Sequence, residues 1–336
     1  MQTARLLPAI LLGALAFTGA LTITSGAGPG LDPDSMSYLH AATSLVHEGR
    51  LRDVRRDWWS ADSTMPLSHW PPGYPIAIAA SERAGFGAVE GARYVGALAA
   101  LVSVSTIVWL VTGVAGLGAG VVAGLLLLVT PAVVQVHESV LSEPLFIALL
   151  ALTLAAMIEA RERPLVAGGL AGLASIVRYA GLSLVWAALL WNFARAGTTR
   201  QRVSRAALAA LPAIVLQGAW VVRTMESAGP SAIREISIYG QLQSTLREGW
   251  GTASAWLLPG VGGKWGMIAA AGAVLLLGVA MVSSRQRGER REPALASALL
   301  AICYLGLVLA SRLIADPGIP LDDRMLAPLI ILLEVA

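Results

Sequence analysis

Residues 6–24, LLPAILLGALAFTGALTIT, contain no charged side chain, and residues 31–38, LDPDSMSY, follow them after a short glycine-containing connection. A run of about 20 such residues is long enough to cross the hydrocarbon core of a bilayer as a helix. Similar runs recur along the chain, which is 56% hydrophobic and only 13% charged. Soluble domains carry roughly 25% charged residues. The sequence therefore predicts an all-α, polytopic integral membrane protein.

The apolar runs predict a helical bundle of about ten membrane spans, two of them short. They lie near residues 6–24, 91–113, 118–136, 144–160, 164–177, 180–194, 206–223, 265–284 and 294–313, and from 325 to the end. The two short runs, 164–177 and 180–194, are expected to form a hairpin. The chain, 1–336, is interpreted as a single transmembrane domain. Because its last run stops after about twelve residues, we expect a fragment or a minimal variant.

The basic residues between the runs predict the orientation, because cytoplasmic loops carry an excess of arginine and lysine. With the N-terminus inside, the basic connections at 161–163, 195–205 and 285–291 all fall on the cytoplasmic side. A first loop, 25–90, with amphipathic surface helices, and a second loop, 224–264, then lie outside. The first run is longer than the apolar part of a typical signal peptide, so a retained helix is favoured over a cleaved signal.

Two aspartates follow the first run, at the start of a predicted surface helix. Asp32 precedes Pro33, which is typical of an N-cap followed by proline at the first helical position. Gly49 is a suitable terminator for this helix. One cap is enough, so Asp34 is a candidate functional carboxylate, although the helix N-terminus also favours an acid at that position.

Three further charged residues stand at the ends of predicted spans. Glu143 lies in SEPLF, Arg178 lies between the two short runs in RYAGL, and Arg324 precedes the last run in DDRMLAPL. A charge at such a place is costly unless it faces water or a partner. Glu143 could be a first-turn acid, and Arg178 could extend to water. Alternatively, arginines that face an outer cavity would suit a phosphate.

The segment HWPPGYP, residues 69–75, combines aromatic residues with a chain break before a short apolar helix. Trp70 and Tyr74 are typical interface anchors. They could instead form an aromatic wall against a sugar or a lipid phosphate, and His69 is a candidate for either role. Tyr38 and Tyr179, next to the candidate acid and cation, are further candidates for substrate contact.

Several functional signatures are absent from the sequence. It contains no P-loop, no dinucleotide-binding glycine motif, no zinc-type cluster of His and Cys, and no nucleophilic-serine elbow. ATP- or NAD-driven chemistry is therefore not expected. The basic residues lie between hydrophobic runs and serve as topology markers, so no nucleic-acid partner is expected.

Taken in order, the motifs resemble those of the GT-C class of polytopic glycosyltransferases. The likeness is to bacterial relatives of the protein O-mannosyltransferases and of the lipid A aminoarabinose transferases. The segments that carry it are DSMSY, WPPGYP, SEPLF, RYAGL, WVVR and DDRMLAPL. Where the family commonly has a second acid beside the first-loop aspartate, this chain has Ser35.

The resemblance implies transfer of a hexose or pentose, with inversion, from a polyprenyl-phosphate donor to a lipid, glycan or protein acceptor. The site would face the outside of the cytoplasmic membrane of a bacterium, among membrane lipids. It implies that Asp34 is the general base and that Glu143 orients the acceptor or binds a divalent metal. Arg178 and Arg324 would hold the donor phosphate.

Two other functions remain open at this point. A transporter or flippase for a lipid-linked or anionic substrate could use the same outer cavity without chemistry. Transporters often contain repeats with broken helices in matching halves, and no convincing repeat is visible in this sequence. A non-catalytic scaffold would not need acids at both Asp34 and Glu143. Convergence of these acids with Arg178 at one cavity would favour the enzyme.

Overall fold

A computed structural model describes residues 2–54, 64–230, 237–239, 242–257 and 291–335. Within these ranges the chain forms α1 (Gln2–Ile23), α2 (Pro33–Glu48), α3 (Gly73–Arg83), α4 (Ala88–Ala115), α5 (Leu117–Val129), α6 (Pro131–Glu138), α7 (Glu143–Glu159), α8 (Pro164–Val177), α9 (Leu182–Ala194), α10 (Thr199–Ala228), α11 (Leu242–Leu257), α12 (Arg291–Ile314) and α13 (Asp323–Val335). Two short strands, β1 (Arg52–Val54) and β2 (Thr64–Pro66), pair antiparallel, with Arg52 opposite Pro66. The predicted all-α class is confirmed, with this ribbon as a small addition.

Four of the described helices are long and apolar enough to cross a membrane, namely α1, α4, α10 and α12. The run predicted as one span at 118–136 is instead the pair α5 and α6, which meet at an angle of 54°. The break follows from Pro131, which has no N–H to continue the hydrogen-bond ladder of α5. The predicted span at 265–284 and parts of both predicted outer loops lie outside the described residues.

The two short apolar helices are confirmed at 164–177 and 182–194. α8 and α9 pack against each other and are joined by a 3-10 turn, Tyr179–Gly181. α8 also packs closely on α10. At Gly168 the two helices are so close that any side chain would overlap the backbone of Ala209. Small residues allow such close approach of membrane helices. Arg178 therefore lies at a fixed junction between short, well-packed helices.

The helix α2 is fastened to the start of α7. Asp32 is the N-cap of α2, and the backbone N–H of Asp32 donates to Ser35 Oγ at 2.9 Å. At the other end, Gly49 ends the helix in the left-handed region at φ 69°. The Ser35 hydroxyl in turn donates to the carbonyl of Val140 at 2.8 Å. Gly30 adds backbone hydrogen bonds to the same segment. These contacts determine where Asp34 points.

The apolar face predicted for α2 is buried against the protein. Tyr38 and Ala42 are 1% and 0% exposed, and α2 packs on α3, α4 and β1. The amphipathic character predicted for this helix is therefore confirmed. This face packs against other helices of the same chain.

Candidate active site

Four charged side chains from distant parts of the chain form one continuous ionic network. Arg178 Nη1 lies 2.6 Å from Glu143 Oε2, and Arg324 Nε bonds the other oxygen, Oε1, of the same carboxylate. Arg324 Nη2 also donates to Asp34 Oδ2 at 2.9 Å. The order is Asp34, Arg324, Glu143, Arg178, so the structure brings together all four residues predicted as catalytic acids and phosphate-binding cations.

Glu143 lies at the centre of this network and is 1% exposed. A buried carboxylate without partners is strongly unfavourable, and two guanidinium groups here compensate its charge. Both of its oxygens are engaged by arginine. It lies in the first turn of α7, where Pro144 is accommodated without loss of a helical hydrogen bond.

Ser142 is a residue of the site that the sequence analysis did not identify. It is fully buried, accepts a hydrogen bond from Arg178 Nη1 at 3.0 Å and lies 3.3 Å from the Tyr38 hydroxyl. Burial raises the pKa of the Tyr38 phenol above its usual range, so this hydroxyl stays protonated. Serine carries no charge, so its position at the end of an apolar run does not mark it as functional. Only its place beside Glu143 in SEPLF pointed to it.

A cavity of about 420 Å³ opens beside the network. Asp34, Arg178 and Arg324 line its polar side, and Glu143 is buried behind them. The opposite side comes from α12 and the connection to α13. It combines the apolar residues Leu307, Val308, Ile319 and Pro320 with the polar residues Ser311, Asp316 and Asp322. The arrangement presents three carboxylates, those of Asp34, Asp316 and Asp322, and two guanidinium groups to the same space.

Three of the five predicted substrate-binding residues line this cavity: Tyr38, Trp70 and Tyr179. Trp70 packs edge-on against Tyr38 with ring centroids 5.7 Å apart. Tyr74 instead packs against Tyr38 with ring centroids 5.1 Å apart and is not part of the lining, so it supports the wall from behind. His69 is exposed and packs against Trp70 at 4.6 Å outside the lining.

The possible divalent metal remains a prediction. Among the residues that the structure describes, no three or more His, Cys, Asp or Glu side chains converge on one point. The carboxylate oxygens of Glu143 already face Arg178 and Arg324. A cation at Glu143 would have to displace one of these guanidinium groups.

Comparison with solved structures identifies the architecture. One similar structure is that of ArnT from Cupriavidus metallidurans, a lipid A aminoarabinose transferase, bound to undecaprenyl phosphate. It superposes on this chain with a TM-score of 0.63 and 17% sequence identity. The match covers 97% of this chain and 58% of ArnT. A second is that of the oligosaccharyltransferase AglB from Archaeoglobus fulgidus, in complex with an inhibitory peptide and a dolichol-phosphate. Its TM-score is 0.53 and its sequence identity is 11%, and the match covers 97% of this chain and 49% of AglB. The chain has the fold of these two structures.

This fold brings the six motifs together around the cavity. Five of them place a residue on the cavity lining: Asp34 in DSMSY, Trp70 in WPPGYP, Ser142 in SEPLF, Arg178 in RYAGL and Arg324 in DDRMLAPL. The sixth, WVVR, contributes through Trp220, whose Nε1 donates to the Tyr179 hydroxyl at 3.2 Å. The chain spans 58% of the length of ArnT. No protein-family model matches it, and no curated protein matches it.

Proposed function

We propose that this protein transfers a sugar from a polyprenyl-phosphate-linked donor to an acceptor hydroxyl at the outer face of the cytoplasmic membrane of a bacterium. The observation that carries the proposal is the cavity that Asp34 shares with Arg178 and Arg324. Two proteins of the same fold support the donor class, since ArnT was solved with undecaprenyl phosphate and AglB with a dolichol-phosphate.

Asp34 is the general base in this proposal. A sugar or lipid hydroxyl is a weak nucleophile and needs a carboxylate within hydrogen-bond reach. Asp34 takes the hydroxyl proton as the acceptor oxygen forms a bond to the anomeric carbon. The bond from that carbon to the phosphate oxygen breaks, and its electron pair leaves with the polyprenyl phosphate. Attack opposite the leaving group inverts the anomeric centre.

Arg178 and Arg324 stabilise the departing phosphate. Negative charge grows on this group during the displacement, and fixed guanidinium donors lower the barrier when they face it. Arg324 also donates to Asp34, yet a carboxylate has about four acceptor positions, which leaves room for the acceptor hydroxyl.

Glu143 acts as a positioning residue. It is too buried to touch a substrate, and it bonds both arginines that face the cavity. This role differs from the contact with acceptor or metal that the resemblance implied. The apolar wall with Leu307, Val308 and Ile319 suits the first part of the hydrocarbon chain of the donor.

The test compares Asp34→Asn with Asp32→Asn, two identical substitutions at the start of one helix. Purified protein is reconstituted with bacterial membrane lipids as acceptors and incubated with a panel of radiolabelled polyprenyl-phosphate sugars. Asp34→Asn should abolish labelled product. Asp32→Asn should preserve it, because asparagine caps helices about as well as aspartate.

Full activity of Asp34→Asn would return this residue to a role at the helix start and overturn the assignment of the base. Passage of the labelled donor across the bilayer without formation of a product by the wild type would favour the transport alternative.

A further inference from the structure

A second cavity, of about 490 Å³, lies where the end of α2, the two-stranded ribbon and the last turns of α10 meet. Its charged lining residues are all arginines: Arg50, Arg52 and Arg223. It is separate from the cavity that contains Asp34.

A small apolar cluster stands between the two cavities. Ala41, Leu67 and Trp220 form its buried part, and Leu51, from the lining of the second cavity, packs against it. Trp70 and Tyr179, from the lining of the first cavity, pack against the same cluster. The two cavities are therefore neighbours.

Arg223 is fixed in place by uncharged partners. Its Nη2 donates to the carbonyl of Leu51 at 2.8 Å, its Nη1 donates to the carbonyl of Leu67, and its guanidinium lies 5.0 Å from the centre of the Trp220 ring. These contacts hold the group rigid while its positive charge stays unneutralised. Arginine has five N–H donors, so donors remain for a ligand.

Of the other two arginines, Arg50 adds to this charge and Arg52 is balanced by a carboxylate. Arg52 is paired with Glu48 at 3.1 Å, whereas Arg50 is exposed. In the part of the chain that the structure describes, neither Arg50 nor Arg223 forms a salt bridge with a carboxylate. Arginine binds phosphate oxygens through two parallel N–H donors, so the cavity suits a phosphate group.

The surroundings of the cavity are apolar and exposed. Val54 and Met65 on the ribbon are 45% and 44% exposed, and Val222 and Met225 on α10 are 54% and 47% exposed. α10 is one of the helices long and apolar enough to cross a membrane, and Arg223 lies in its final turns. A cationic cavity at the end of such a helix suits an amphiphile with a phosphate at one end and hydrocarbon chains at the other.

We propose that this cavity binds the phosphate headgroup of an anionic membrane lipid, with the lipid chains lying along α10. The site is distinct from the donor phosphate site at Arg178 and Arg324, and its occupancy does not depend on sugar transfer.

The test titrates the full chain in neutral detergent with phosphatidylglycerol and measures binding by native mass spectrometry. Arg50→Gln/Arg52→Gln should weaken binding at least about tenfold, which corresponds to about 1.4 kcal/mol. Arg223 is left unchanged because its backbone contacts also support the fold. The matched control is Arg83→Gln/Arg247→Gln, which removes the same charge at exposed positions outside the cavity and should leave binding within about twofold.

A second arm replaces the lipid with inorganic phosphate. Weak or undetectable binding of phosphate beside tight binding of phosphatidylglycerol supports a lipid site. Equal binding of both probes would show a site for a soluble anion and overturn the lipid assignment. Unchanged lipid binding in Arg50→Gln/Arg52→Gln, or an equal loss in the control pair, would overturn the proposal as a whole.

Discussion

Arg324 donates from Nη2 to Asp34 Oδ2 at 2.9 Å, although 290 positions separate the two residues in the chain. The same guanidinium reaches Glu143 through Nε. One side chain at the start of α13 therefore sets the position of both acids. Because a guanidinium is a planar fork with fixed donor directions, the contact defines geometry as well as charge.

Replacement of Arg324 by lysine keeps the charge and removes the fork. A single ammonium cannot make both contacts with the same geometry, and each charge-assisted hydrogen bond contributes roughly 1.5–3 kcal/mol. We expect the initial rate of transfer to fall by about 10- to 100-fold. Arg83→Lys, at an exposed position on α3, serves as the control. A rate equal to that of the wild type would exclude a geometric role for Arg324.

Glu143→Gln tests the buried centre of the network. The variant leaves the mostly buried Arg178 guanidinium without its counter-charge and Arg324 with Asp34 alone, which is expected to cost about 3 kcal/mol of stability. Thermal unfolding in detergent should show a clear decrease in Tm, together with loss of transfer. Glu159→Gln, at the exposed end of the same helix, is the matched control and should unfold like the wild type. Equal unfolding of the two variants would argue against the central role of Glu143.

Ser142→Ala removes the neutral acceptor that orients Arg178. The loss of one buried hydrogen bond of about 1 kcal/mol should raise the KM for the donor roughly fivefold. The kcat should change less, since the guanidinium and its bond to Glu143 remain. Ser175→Ala, a buried serine that bonds within α8, is the control and should leave KM unchanged. If kcat falls while KM stays constant, the role of Ser142 lies in the chemical step.

Trp70→Ala and His69→Ala test adjacent residues on opposite sides of the cavity wall. Trp70 lines the cavity and His69 packs behind it. Truncation of an aromatic residue in a binding wall costs roughly 1–3 kcal/mol, so the KM of one substrate should rise about tenfold or more in Trp70→Ala. The KM values of His69→Ala should stay within about twofold. Similar kinetics in both variants would remove Trp70 from the substrate contacts.

The raised pKa of Tyr38 predicts a loss of stability in alkaline solution. Burial favours the neutral phenol in the folded state, whereas in the unfolded state it loses its proton near pH 10. The stability contributed by this residue is therefore complete below about pH 10 and decreases as the pH rises beyond that value. Unfolding midpoints should fall less steeply above this pH in Tyr38→Phe. An identical slope in both proteins would contradict the buried state of Tyr38.

Charged residues at the ends of apolar runs were the most informative feature of the sequence. Glu143, Arg178 and Arg324 stood out because a charge at such a place is expensive without a partner. Asp34 stood out because Asp32 already caps its helix. Their mutual pairing could not be predicted. No local pattern connects the start of α2 with the start of α13, and the pairing depends on how the helices pack.

Other features escaped prediction for similar reasons. The run at 118–136 has continuous hydropathy, so it concealed the break that Pro131 introduces between α5 and α6. The periodicity of α2 indicated an apolar face without specifying that other helices cover it. Ser142 is small and uncharged, and its importance arises only from the arginine and the tyrosine that contact it.

The hydrogen bond from Ser35 to Val140, with the backbone pairing of Gly30, has a consequence for motion. It joins the segment that carries Asp34 to the segment that carries Ser142 and Glu143, so the two should shift as one rigid body. Any opening that admits a bulky substrate must then come from the opposite side, where α12 and its connection to α13 form the apolar wall. The half of the cavity that bears Asp34 would then stay fixed while the other half moves.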